Sequence, residues 1–191
     1  MTTSIYMVRH GESPITEGNE RTRGLTEKGQ VDAARLANLL ESEMIEVFVS
    51  SPYRRSILTI EQLAERSGKE VQIFEELKER IFSGENKRLP DEELLPILEK
   101  SFAEPGFALP GGESNEDCQK RAINVLKDLL HMYSNQKIAI GTHGAVMTLM
   151  MGYYDSRYGF DFLLQTSKPD VYRLEFEGEL LLGVERVWKV E

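Results

Sequence analysis

The amino-acid sequence predicts an α/β protein: a three-layer α/β/α sandwich around a mostly parallel central sheet, with a C-terminal hairpin at the sheet edge and a small helical cap excursion. Three observations carry this expectation. Short apolar runs alternate with segments of helical period along most of the chain. Two of the runs, residues 5–8 and 137–141, lead into a histidine followed by a glycine, His10-Gly11 and His143-Gly144. The last two runs, 171–176 and 180–187, alternate in polarity around Glu177-Gly178, as the arms of a hairpin do.

Residues 5–8, Ile-Tyr-Met-Val, run into Arg9, His10 and Gly11 as a buried strand runs into a loop. Pro14, Gly18, Asn19 and Gly24 mark that loop. Thr26 stands as the N-cap of a helix in which Ala33, Leu36, Ala37, Leu40 and Met44 share one buried face. A second strand is expected over 45–49, a helix over 54–67 and a third strand over 71–74. Residues 75–112 lose this regularity, interrupted by Pro90, Pro96, Pro105 and Pro110, with one short acidic helix between Asp91 and Phe102. They are expected to form a cap insertion over the sheet ends, within a single domain of residues 1–191. Ser114 opens a capping-box pattern, and Cys118, Ala122, Val125, Leu126, Leu129 and Met132 trace the apolar face of a long helix. Residues 137–141 read as a fourth strand and 145–151 as a helix.

A chain of 191 residues suffices for one sizeable core, and 40% hydrophobic with 29% charged residues is an ordinary globular balance. No apolar span of membrane length and no basic-then-apolar leader occurs, so a cytoplasmic location is expected. With Cys118 alone, neither an intramolecular disulfide nor a cysteine-rich metal site can form. The net charge of −9 speaks against nucleic-acid and membrane partners. It leaves room for a small anionic ligand in a local basic pocket, and Arg9, Arg21, Arg23, Arg54 and Arg55 all fall in the first third. The C-terminal hairpin and Trp188 suit a sheet edge or an interface, so a monomer or a homodimer is expected.

In parallel α/β sheets ligands bind beyond the carboxyl ends of the strands. His10, His143 and Ser51 with the arginines behind it each lie just past such an end. A metal site is disfavoured, because neither histidine has a suitably spaced second ligand and Arg9 would crowd the ion with positive charge. Each histidine alone reads equally well as a buried, hydrogen-bonded residue. Together with the arginines they suit phosphate chemistry: guanidinium forks hold phosphate oxygens, and a neutral imidazole nitrogen can attack phosphorus in line. A second, protonated histidine would hold the equatorial oxygens.

Several segments carry a family resemblance. Arg9-His10-Gly11-Glu12 resembles the RHG signature of the histidine phosphatase superfamily, which includes cofactor-dependent phosphoglycerate mutases and many phosphomonoesterases. Leu25-Thr26-Glu27-Lys28-Gly29-Gln30 is similar to its helix-opening stretch, and Ser51-Pro52-Tyr53-Arg54-Arg55 to its segment bearing a phosphate-binding arginine. Leu77-Lys78-Glu79, Pro110-Gly111-Gly112-Glu113-Ser114 and Thr142-His143-Gly144 follow in the family's order. The resemblance implies His10 as nucleophile, Arg9, Arg55 and His143 holding the phosphoryl oxygens, and Glu79 as proton donor and activator of water. It implies no metal and no cofactor, a small phosphomonoester as substrate, and a phosphohistidine intermediate.

The chain also departs from the pattern. The loop to Leu25 is short and lacks the family's phosphate-contacting asparagine; Thr16 stands near that place, and Arg21 or Arg23 is expected to compensate. After Glu79 the family's substrate segment is replaced by Arg80-Ile81-Phe82-Ser83-Gly84-Glu85-Asn86, and Lys87 and Arg88 follow as a solvated pair or a contact to an anionic tail. The trimmed loop suits hydrolysis better than a mutase, which must enclose its intermediate. The alternatives kept are mutase-type phosphoryl transfer and a weakly active protein that binds phosphorylated ligands or peptides.

Overall fold

A computed structural model of the chain describes residues 1–84 and 88–190. Six strands form one sheet: β1 (Thr3–Arg9), β2 (Val47–Ser50), β3 (Val71–Ile73), β4 (Lys137–Thr142), β5 (Asp170–Glu177) and β6 (Leu180–Arg186). Their order is β3-β2-β4-β1-β5-β6. Strands β1 to β4 run parallel, and β5 is antiparallel to both β1 and β6, so the hairpin occupies one edge. Gly178, at φ 59°, supplies the left-handed residue its tight turn needs.

The helices are α1 (Glu27–Leu40), α2 (Arg54–Arg66), α3 (Asp91–Ala103), α4 (Asn115–Met132), α5 (Gly144–Tyr154) and α6 (Phe160–Gln165). Alternation along each strand sends its side chains to two cores. Tyr6, Val8, Phe48 and Ala139 pack with Leu36 and Leu40 of α1 and Ile60 and Leu63 of α2. On the other face Ile5, Met7, Val49 and Ile140 pack with Leu126 and Leu129 of α4 and Met147 and Met150 of α5. The central strands are therefore apolar on both sides, as a doubly covered parallel sheet requires.

Local signals placed the helix starts well. Thr26 caps α1 by accepting from the Gly29 N–H at 3.0 Å, and Ser114 caps α4 by accepting from the Asp117 N–H at 3.0 Å. Cys118 is fully buried on α4, as its place on the apolar face implied. Two methionines depart from expectation. Met44 is 78% exposed, because α1 ends at Leu40 and a short 3₁₀ turn ends in a left-handed residue there, at φ 55°. Met132, at the last turn of α4, is 61% exposed, beyond the part of the helix that the sheet covers. Pro96 lies inside α3 without ending it, on an exposed position where water can take the freed carbonyl. Trp188 is buried against the α1 side of the sheet under the Arg35 guanidinium, not presented at a surface. Helix α6 had no counterpart among the expected elements. Among the described residues no helix is long and apolar enough to cross a membrane.

Candidate active site

Strand register brings the two histidines together. Arg9 pairs with Thr142 across β1 and β4, and the His10 N–H continues the ladder to the Thr142 carbonyl at 3.0 Å. One residue on, the rings of His10 and His143 meet edge to face with centroids 5.2 Å apart. From the neighbouring β2, the Ser51 N–H donates to the Gly141 carbonyl at 3.0 Å, which sets the start of α2 and hence Arg55 beside them.

His10 is 5% exposed. Its Nδ1 lies 2.7 Å from the Gly11 carbonyl oxygen, which can only accept, so Nδ1 carries the proton and Nε2 the lone pair. The Arg55 Nε–H donates to that lone pair at 3.2 Å. Burial, then the charges of Arg55 and Arg9, hold the imidazole pKa well below its usual value. The ring is thus in the form a nucleophile needs.

His143 is fully buried behind the cavity wall and hydrogen-bonds through Nε2 to the Ser51 hydroxyl at 2.6 Å. The Tyr53 N–H donates to the same hydroxyl at 3.1 Å, and the ring's other nitrogen is Nδ1. That Nδ1 is buried without a partner, a position that a ligand oxygen would satisfy. Burial, then the Arg55 charge, push the His143 pKa well below its usual value, which favours the neutral ring where a protonated one was expected.

The two neutral imidazoles have a consequence for stability. In the unfolded chain each takes up a proton below about pH 6.5, whereas in the folded chain neither does until much lower pH. Unfolding therefore binds protons below that pH, and stability falls on acidification by up to about 2.7 kcal/mol per pH unit for the pair. Comparing urea midpoints at pH 7.5 and 5.5 is expected to show a smaller drop in His10→Gln than in the wild type. An equal drop in both would mean that His10 is not held neutral.

Arg9 packs its guanidinium over Gly144, where an added Cβ would stand 2.8 Å from the Arg9 Cζ. It donates to the Thr166 hydroxyl and keeps a buried Nε without a partner. Glu79 is held at the N-terminus of α5: one carboxylate oxygen accepts from the Ala145 N–H at 3.0 Å, the other from Val146 and Arg80 N–H groups, each at 2.8 Å. Arg9, His10, Arg55 and Glu79 line one cavity of about 460 Å³, together with Arg23, Glu20, Tyr53, Thr166 and Lys168.

The remaining expected residues divide. Arg23 lies in the cavity wall, 7% exposed. Arg21 is outside it, paired with Glu75 at 2.6 Å and lying over the Tyr53 ring. Thr16 is exposed on the loop and does not reach the cavity, because the loop turns there before returning along Asn19 and Glu20. Arg88 reaches the cavity wall, paired with Asp91 at 2.7 Å, whereas Lys87 is outside the described residues. Among the described residues no group of three or more His, Cys, Asp or Glu side chains has metal-binding geometry.

Glu20 was not singled out by sequence reasoning. Its Oε2 accepts from Arg55 Nη2 at 3.1 Å, and its backbone carbonyl accepts from Arg55 Nη1. Its Oε1 accepts from Arg23 Nε at 2.9 Å. Burial alone would raise the Glu20 pKa, but the Arg55 and Arg23 charges outweigh it and lower it. Every nitrogen of Arg55 is thereby engaged, so an anion seeking Arg55 would have to compete with the Glu20 carboxylate. Glu20→Gln is expected to strengthen competitive inhibition by inorganic phosphate about ten-fold. Unchanged or weaker inhibition would mean that Glu20 does not compete for Arg55.

Comparison with known proteins agrees with this arrangement. Phosphoserine phosphatase 1 of Hydrogenobacter thermophilus is 30% identical over 156 residues, covering 76% of this chain and 73% of the relative. Glucosyl-3-phosphoglycerate phosphatase of Mycolicibacterium vanbaalenii is 26% identical over 168 residues, covering 76% and 71%. The solved structure of Bacillus stearothermophilus YhfR superposes with a TM-score of 0.78 at 25% identity, covering 94% of each chain. Residues 5–181 match the family model from the first strand into the closing hairpin, and the chain belongs to the histidine phosphatase superfamily, branch 1.

Proposed function

We propose that this chain is a metal-independent phosphomonoesterase that acts on a small phosphorylated metabolite through a phosphohistidine. The neutral His10, its proton fixed on Nδ1 and its Nε2 lone pair beside Arg55, supports this reading most. Named phosphatases among the relatives support it as well.

In this mechanism Arg9, Arg55 and the Nδ1–H of His143 hold the phosphoryl oxygens, and Arg23 adds positive charge to the wall. His10 Nε2 attacks phosphorus, the bond to the alcohol oxygen breaks, and Glu79 gives that oxygen its proton. After the alcohol leaves, a water attacks phosphorus and loses a proton to Glu79. The phosphorus–nitrogen bond then breaks, its electron pair returns to Nε2, and inorganic phosphate departs. Of the range 75–112, the described residues 75–84 and 88–112 serve as the cap of a single domain.

The test is release of inorganic phosphate from a panel of phosphomonoesters in the presence of a chelator. Turnover that resists the chelator, with an acid-labile and base-stable phosphoryl group on the protein during turnover, is expected. Turnover abolished by the chelator would exclude this mechanism.

A further inference from the structure

We infer that the alcohol half of the substrate is a bulky apolar group, an aryl-bearing or extended alkyl chain, and not a polyhydroxylated one. This rests on the phosphatase reading above. The cavity has two unlike kinds of lining. Arg9 and Arg55 line it with His10, and Leu94, Leu95 and Leu98 of α3, Leu163 and Leu164 of α6, and Leu89 ahead of α3 line it as well. Leu98 and Leu163 join Ala145 in one buried apolar cluster that Phe82 and Leu94 extend.

Two of these leucines are not covered by the protein itself. Leu95 is 46% exposed and Leu164 55%, and both line the cavity. Apolar surface at the mouth of a pocket gains most from a ligand that removes it from water. Among the polar groups nearby, Lys168 lines the cavity, and Arg80 keeps its Nε and Nη1 without a partner. Arg80 donates to the Ser101 hydroxyl and the Phe107 carbonyl, each at 3.2 Å, and lies over the Phe82 ring. Arg88 is paired with Asp91. A sugar hydroxyl set against the leucines would give up water without gaining a partner, which is costly.

The test compares 2-phenylethyl phosphate with glycerol 1-phosphate, both primary alkyl esters, so that the chemistry at the leaving oxygen is closely matched. Wild-type kcat/KM is expected to favour the phenylethyl ester by about ten-fold or more. In the double variant Leu95→Ser, Leu164→Ser, both at exposed positions that the fold does not depend on, that preference is expected to shrink about five-fold. Turnover of glycerol 1-phosphate is expected to stay near wild type. Equal or reversed preference in an active wild type would overturn this inference and leave the phosphatase reading standing. So would a preference that the double variant leaves untouched, or an equal loss on both esters. No turnover of either ester would overturn both readings.

Discussion

Replacing His10 with alanine is expected to lower phosphate release by about 10⁴-fold or more, because the attacking atom is removed and no other group takes its place. Candidate substitutes are poorly disposed. His143 is fully buried and its Nε2 is hydrogen-bonded to Ser51. The alanine variant also leaves a cavity and strips the Arg55 Nε–H of its acceptor, which costs stability. His10→Gln is the companion variant, since its amide oxygen can accept from Arg55 while its amide nitrogen is no nucleophile. Both variants are expected to lose the base-stable phosphoryl-protein along with turnover. Either variant retaining more than a tenth of wild-type activity while folded, by circular dichroism, would remove His10 from the mechanism.

Glu79→Gln is expected to cost about 10²–10⁴-fold in turnover of alkyl phosphates, the range for loss of a positioned acid–base group. The pattern matters more than the size. An ester of 4-nitrophenol expels an anion that needs no proton, so phosphoryl transfer to His10 should be nearly preserved with it. Water activation should still fail, and the phosphohistidine should accumulate as a burst of 4-nitrophenol followed by a slow phase. The carboxylate also anchors α5 through the Ala145 and Val146 N–H groups. Glutamine turns an NH₂ group towards one of those donors, at a cost of about 1–3 kcal/mol. A uniform loss on both ester types without a burst would reduce Glu79 to this anchoring role.

Sequence legibility followed the range of the interactions. The strand that ends in Arg9-His10-Gly11, the Thr26 and Ser114 caps and the apolar faces of α1 and α4 are each fixed within a few residues, where periodicity and capping chemistry act. The motif order from Arg9 to Gly144 could be read for the same reason. Helix ends were harder. Met44 and Met132 continue the apolar spacing but lie past the point where a helix still meets the sheet, and spacing alone does not say where that is.

In the site, the arginines were visible as residues but not by their surroundings. Arg21 and Arg23 are two positions apart, yet one faces Glu75 on the surface and the other the cavity. The loop path decides this, and no local signal encodes it. The same holds for Thr16, and for Glu20, whose partner Arg55 is 35 positions away. Helix α6 carries Leu163 and Leu164 to the cavity and precedes Thr166, the partner of Arg9 across 157 positions. By itself, then, the sequence determined the family and the sheet, and pointed to the groups proposed to react, because short-range periodicity and ordered motifs carry that information. Only the tertiary structure decided which charges meet and which leucines border the cavity. Those are consequences of chain packing between distant segments, set by where the sheet register and the loops bring them together.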